Sequence, residues 1–239
     1  MLMPVIFCVI GAILLVIFLA RRVKYGCSPE TTVSKSMVSV GFMCTAVSAL
    51  ASNNFSFQNS RYCAFVILAL LFGLLGDIWL DLKYAHAESG IPYTYAGFAT
   101  FLFGHLLYDA GLISRFYIKG HPMYLIVPAI ISVSFAVVIW FTEDLFKVKY
   151  GKFKPMVAAY SPVVASITVF SASLAILNGF TCVSLDIFFF ASISFLFSDL
   201  ILNGTYFGSG KNRPVDVIIN HTSYYIAQYA IALSLCFLK

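Results

Sequence analysis

Mostly apolar stretches, broken by short polar segments, run along the whole chain. Eight of them approach the length of a membrane span: residues 3–20, 35–51, 62–82, 93–113, 122–141, 156–177, 185–203 and 217–238. About 20 apolar residues at ~1.5 Å rise each cross the ~30 Å hydrocarbon core of a bilayer. No water reaches the backbone there, so its polar groups must be satisfied within each segment, which predicts helices rather than strands. The breaks carry Ser28-Pro29, Gly90-Ile91-Pro92, Pro122, Pro155 and Arg213-Pro214. Connections this short predict sequential up-down packing. The expected fold is therefore all-α, a polytopic membrane bundle of about eight transmembrane helices, with residues 1–239 forming a single integral membrane domain.

Composition agrees. Of 239 residues, 61% are hydrophobic and 10% charged, and mean hydropathy is +0.92. A soluble domain carries about 45–50% apolar and ~25% charged residues. A protein core cannot hide that excess, so lipid has to solvate it. The net charge of +5 does not point to nucleic acid, because the basic residues sit in short loops between apolar stretches, where they act as topology signals. Most of the six cysteines, Cys8, Cys27, Cys44, Cys63, Cys182 and Cys236, fall inside apolar runs and read as small apolar side chains. No CxxC pair suggests zinc, and a Cys63–Cys182 bridge on one membrane face is left as an alternative.

The loops after spans 1, 3, 5 and 7 hold Arg21, Arg22, Lys24, Lys35, Lys83, Lys147, Lys149, Lys152, Lys154, Lys211 and Arg213. The opposite face holds Arg61, Arg115, Lys119 and Lys239. The positive-inside rule assigns the first set to the cytoplasm and both termini to the non-cytoplasmic side. Positive charges follow the first span instead of preceding it, so it reads as an uncleaved anchor and not a signal peptide. Asn54-Phe55-Ser56 is a glycosylation sequon on the expected lumenal side, close to the membrane.

Acids inside spans cost about 2.5–3.5 kcal/mol each on insertion scales and tend to mark sites or pathways. Asp77, Asp81, Asp109 and Asp199 lie within spans, as does His105. Asp77 and Asp81 are four residues apart, as are Asp199 and Asn203, and Tyr224 and Gln228; His105, Tyr108 and Asp109 share another face. Four helices thus present polar stripes that should converge in a bundle. Asp77 and Asp199 fall at similar depth in the cytoplasmic half, near the starts of the spans carrying Lys35, Tyr160 and Tyr224; His105 lies nearer the midplane. Asp81 lies near a helix end, within reach of water. The common hydrolase and nucleotide motifs fail: there is no GxSxG elbow, no HExxH, and the stretch from Gly204 to Lys211 has the wrong spacing for a phosphate loop.

Gly76-Asp77, Phe103-Gly104-His105-x-x-Tyr108, Phe197-Ser198-Asp199 and Tyr224-Tyr225-Ile226-Ala227-Gln228, in that order, resemble motifs of the YhhN/lysoplasmalogenase family. Lys35 and Tyr160 stand where that family carries a Lys and a Tyr. Two departures are visible: Ser36 follows Lys35 where Pro is expected, affecting a helix start, and Pro162 lies early in span 6, where it is expected to kink the helix. The resemblance implies an ether-bond hydrolase of eight helices, in the endoplasmic reticulum membrane if the source is eukaryotic. It would cleave the vinyl ether of lysoplasmalogens into a fatty aldehyde and a glycerophospho-base, taking its lysophospholipid from the bilayer. Two carboxyls in a poorly hydrated pocket suit that reaction, one giving a proton and the other positioning water. Asp77 and Asp199 are the expected catalytic pair. Lys35, Asp81, His105, Tyr108, Tyr160, Asn203, Tyr224 and Gln228 are expected to bind or orient the substrate, Lys35 through its phosphate. This scheme needs no cofactor and no metal. The residues leave other readings open: a proton-coupled transporter, a non-catalytic lipid-binding protein, or a metal-dependent hydrolase with Asp77, His105 and Asp199 as ligands.

Overall fold

A computed structural model describes residues 2–52, 59–85, 90–141, 143–145, 147–208 and 213–238. The Asn54-Phe55-Ser56 sequon, His86, Lys211, Asn212 and Lys239 lie outside the described residues. Among the described residues eight α-helices follow one another: α1 Leu2–Tyr25, α2 Pro29–Ser52, α3 Ser60–Ala85, α4 Gly90–Phe116, α5 Met123–Phe141, α6 Lys154–Leu177, α7 Val183–Phe207 and α8 Pro214–Ser234. Among the described residues there is no sheet, only an isolated antiparallel bridge between Val148 and Gly208.

Seven helices, α1 to α7, are long and apolar enough to cross a membrane. The exception is α8, whose 21 residues would still reach about 31 Å. Its hydropathy is lowered by Asn220, Ser223, Tyr224, Tyr225 and Gln228, all buried inside the bundle. A helix that faces its neighbours with hydrogen-bonding side chains needs less apolar character than one that faces lipid.

The helix ends follow local chemistry. Ser28 does not simply break the chain; it caps α2, with its N–H donating to Thr31 Oγ1 (2.8 Å) and its Oγ accepting from the Thr31 N–H (3.3 Å). Pro29 takes the first helical position, where its missing N–H is harmless. The helix therefore starts well before residue 35, and Ser36 is an interior residue bonded to the Thr32 carbonyl (2.9 Å). Gly26, at φ +67°, closes α1 with its N–H on the Arg22 carbonyl. Pro162 lies inside α6, which runs as one helix from Lys154 to Leu177.

Consecutive helices pair closely, α1 with α2, α3 with α4, α5 with α6 and α7 with α8. Further contacts of α2 with α3 and α8, of α4 with α6, and of α6 with α7 close a ring of six helices. Purely sequential packing is broken at α5, which leans on α6 from outside while α6 takes its place beside α4. Only 11% of the α5 span and 17% of the α1 span is buried, so these two helices present apolar surface outward. All six cysteines are free, Cys63 and Cys182 included, so the bridge left open on sequence grounds is not formed.

Candidate active site

The last three turns of α3 carry Asp77 and Asp81 on one face, and both are 3% exposed. Burying two carboxylates in a membrane bundle demands compensation. Lys35 of α2 supplies part of it: its Nζ lies 3.1 Å from Asp77 Oδ1 and 3.3 Å from Asp81 Oδ1. Arg22, in the last turn of α1, supplies the rest by donating from Nη2 to Asp81 Oδ1 (2.7 Å) and from Nη1 to Thr31 Oγ1 (3.2 Å). Two cations and two acids thus form a buried cluster of no net charge. Arg22 is only 8% exposed, so it is a structural partner as well as a loop-end charge. Asp81 is paired and shielded, which corrects its reading as a helix-end acid reaching water.

Asp77 has two further donors on its other oxygen: Ser39 Oγ at 2.7 Å and Tyr224 OH at 2.9 Å. Behind Tyr224 runs a relay. Gln228 Nε2 donates to Tyr224 OH (3.1 Å), and Tyr108 OH donates to Gln228 Oε1 (2.9 Å). The relay requires α8 to press closely on α3 at Gly73, where a Cβ would come within 2.7 Å of Gln228 Nε2. Tyr225, the neighbour of Tyr224, donates to the Lys35 carbonyl (3.1 Å) and lies 3.1 Å from Ser39 Oγ.

Asp199 of α7 stands apart from this cluster. Its Oδ2 accepts from Tyr160 OH (2.9 Å), and no cation pairs with it among the described residues. Asp77, Asp81, Asp199, Lys35, Tyr160 and Tyr224 all line one cavity of about 280 Å³, with Arg22, Asn220 and His221 on its walls. Residues Gly26, Cys27 and Pro214 also line it, so it reaches the bundle end where the loops after α1 and α7 lie.

The remaining expected residues are placed elsewhere. His105 donates from Nδ1 to the Phe101 carbonyl (2.6 Å), and a carbonyl only accepts, so Nδ1 carries the hydrogen. Its ring packs against Phe195 and Tyr160, with centroids 4.7 and 5.9 Å away, and it does not line the cavity. Tyr108 and Gln228 touch the site only through the relay. Asn203 donates to Tyr150 OH (3.0 Å) and faces a second, apolar cavity. Asp109 is bonded by Ser166 and lies outside the cavity. Lys35, expected at a phosphate, has its ammonium between two carboxylates.

Sequence reasoning passed over Arg22, Ser39, Tyr225 and Asn220. Two of these had a readable signal: Ser39 lies four residues after Lys35, and Asn220 four before Tyr224, which puts each on the same helix face as a residue already singled out. Among the described residues no group of three or more His, Cys, Asp or Glu is arranged to hold a metal ion.

Comparison with curated proteins and with solved structures returns no match. The family described as YhhN matches residues 38–235, which take in α2 from its third turn through α8, and so every acid of the cavity. The chain is a multi-pass membrane protein that belongs to the YhhN family.

Proposed function

We propose that this chain is a lysoplasmalogenase, hydrolysing the vinyl ether bond of lysoplasmalogens inside its helix bundle. Family membership supports an enzyme acting on ether lipids. The observation that carries the finer reading is the shared cavity: Asp77 and Asp199, from different helices and in different electrostatic settings, line one space.

The reaction needs a proton on the β-carbon of the vinyl ether. We assign the proton donor to Asp199, which faces a neutral hydroxyl and no cation. Protonation gives an oxocarbenium ion, which the negative Asp77 carboxylate favours at short range. Asp77 then takes a proton from the attacking water, and Lys35, Ser39 and Tyr224 hold its carboxylate in place for that step. In the collapse Asp77 passes the water's proton to the leaving glycerol oxygen, the hemiacetal hydroxyl gives its proton to Asp199, and a fatty aldehyde and a glycerophospho-base leave with both carboxyls restored. Two carboxyls around a sugar cation in glycosidases offer an analogy. Arg22, Lys35 and Asp81 act through Asp77 as positioning residues. The loops rich in Lys and Arg face the cytoplasm in this reading, with both termini across the membrane, the cavity mouth on the cytoplasmic side, and the endoplasmic reticulum as the compartment.

The test uses purified protein in detergent, where no ion gradient exists, and follows aldehyde release from lysoplasmenylcholine and lysoplasmenylethanolamine. Asp77→Asn and Asp199→Asn should each lower the rate by about 100-fold or more, the usual scale of a lost acid or base. Wild-type protein that releases no aldehyde from either lipid would sink the hydrolase reading; a transporter would instead respond to a proton gradient in vesicles.

A further inference from the structure

The polar cavity borders a second one. Phe98, Tyr160, Asp199, Leu202 and Tyr206 line both, and the second holds about 70 Å³. Its other walls are mostly apolar: Phe135 and Ile139 of α5, Val164 of α6, and Leu196 and Leu200 of α7. The first cavity holds Arg22, Lys35, Asp77 and Asp81; the second has none of these, and Asp199 is its one acid. Leu200 is 60% exposed on the outside of the bundle, and α5 is the least buried span. The second cavity thus runs from Asp199 toward the surface that lipid would cover.

We infer that this apolar cavity receives the carbons of the substrate's alkenyl chain nearest the ether, entering sideways from the bilayer between α5, α6 and α7. The inference rests on the hydrolase reading. An amphiphile placed across the two cavities puts its polar part among the charged groups and its chain among Val164, Leu196 and Phe135. The junction between them, which in a lysoplasmalogen is the vinyl ether, then falls at the wall the cavities share, where Asp199 and Tyr160 stand. Apolar contact favours the chain on one side, and desolvation penalises it on the other. The space is small, so it encloses only the first carbons and leaves the rest in lipid. Selectivity is accordingly for bulk beside the ether and not for total chain length.

The experiment separates the two readings by using a probe without a vinyl ether: an alkyl-ether lysophosphocholine carrying a photoreactive diazirine beside the ether. Labelling should map to α6 and α7 around Val164, Leu196 and Leu200. Leu196→Trp fills the cavity and should cut labelling about tenfold, the scale of lost pocket contacts. Ala172→Trp adds more bulk still to a separate apolar groove between α5 and α6 and should leave labelling unchanged. Leu196→Ala guards against a misfolded Trp variant: it should raise labelling by a probe methyl-branched beside the ether by about tenfold relative to the straight probe. Label spread evenly over outward residues such as Val16 and Ile130, or a branched-to-straight ratio unmoved in Leu196→Ala, overturns the inference. Wild-type protein that is labelled at these residues but releases no aldehyde overturns the hydrolase reading and leaves the chain site standing.

Discussion

Asp77 and Asp109 are both buried acids on neighbouring helices, 3% and 8% exposed, yet their surroundings have little in common. Asp77 meets an ammonium, a serine and a tyrosine from two other helices and opens onto a cavity. Asp109 is bonded by Ser166, its Oδ1 has no hydrogen-bond partner among the described residues, and it lines neither the polar cavity nor the apolar one beside it. The half of the bundle around Asp109 satisfies many of its hydroxyls locally instead: Ser171 and Ser114 donate to carbonyls three or four residues back on their own helices. At the Asp77 end, side chains from five helices answer one another. In the reading proposed above, opening onto the shared cavity, as Asp77 and Asp199 do and Asp109 does not, singles out an intramembrane acid more than its burial does.

The strongest way to break that contrast is to neutralise each acid in turn. Asp109→Asn should leave aldehyde release within about twofold of wild type, whereas Asp77→Asn should lose about 100-fold or more. Equal losses in the two variants would show that burial alone marks the site. Next in size is the charge cluster. Lys35→Ala takes the cation from Asp77 and leaves Asp81 with Arg22 alone, and Arg22→Ala leaves Asp81 with Lys35 alone; breaking a buried pair costs about 3–5 kcal/mol. Both should lower the thermal midpoint in detergent by several degrees, Lys35→Ala more, and a midpoint unchanged in both would remove the cluster from the stability of the bundle. Smaller again is the relay. Tyr108→Phe deletes its far end, and interhelical hydrogen bonds in membranes average about 0.6 kcal/mol. A slight drop in midpoint is expected, with a rate loss well below that of Tyr224→Phe, which removes a donor from Asp77 itself. A rate loss in Tyr108→Phe as large as in Tyr224→Phe would extend the site along the whole relay.

The smallest effect lies outside the membrane and serves as a control. Glu143, in the loop after α5, accepts from Lys154 Nζ (2.7 Å) and from the Tyr150 N–H (2.9 Å). Those bonds hold its carboxyl below the usual glutamate value. A folded value below the unfolded one adds stability above the unfolded value, lost as pH falls through the folded one. Glu143→Gln should therefore melt slightly lower than wild type at neutral pH, and the gap should close on acidification. Activity at neutral pH should not change, and a change would tie this loop to the cavity.

Much of this was legible in the chain. The length and apolar content of the stretches located all eight helices, and the spacing of Asp77 with Asp81 and of Tyr224 with Gln228 marked faces that do turn inward. The helix ends were less legible. Ser28-Pro29 reads as a breaker in a linear scan, but a serine followed by proline, with threonine three positions on, also caps a helix. The charges misled most. Arg22 looks like a loop-end topology residue, and nothing local says that its guanidinium folds back onto an acid 59 residues away. His105 looked like a site residue by its motif, but its Nδ1 is taken by the carbonyl four residues back.

The sequence by itself determined that the chain spans a membrane with helices, because so much apolar surface and so few charges leave no other way to satisfy the backbone. It also determined that a few polar stripes must face inward, because each buried charge needs a partner in lipid. Only the tertiary structure decided which stripes meet. Partner choice depends on helix order around the ring and on close approaches such as Gly73 against Gln228. These placed α8 against α3, moved α5 to the outside, and left Asp199 across a cavity from Asp77 with no cation paired to it among the described residues.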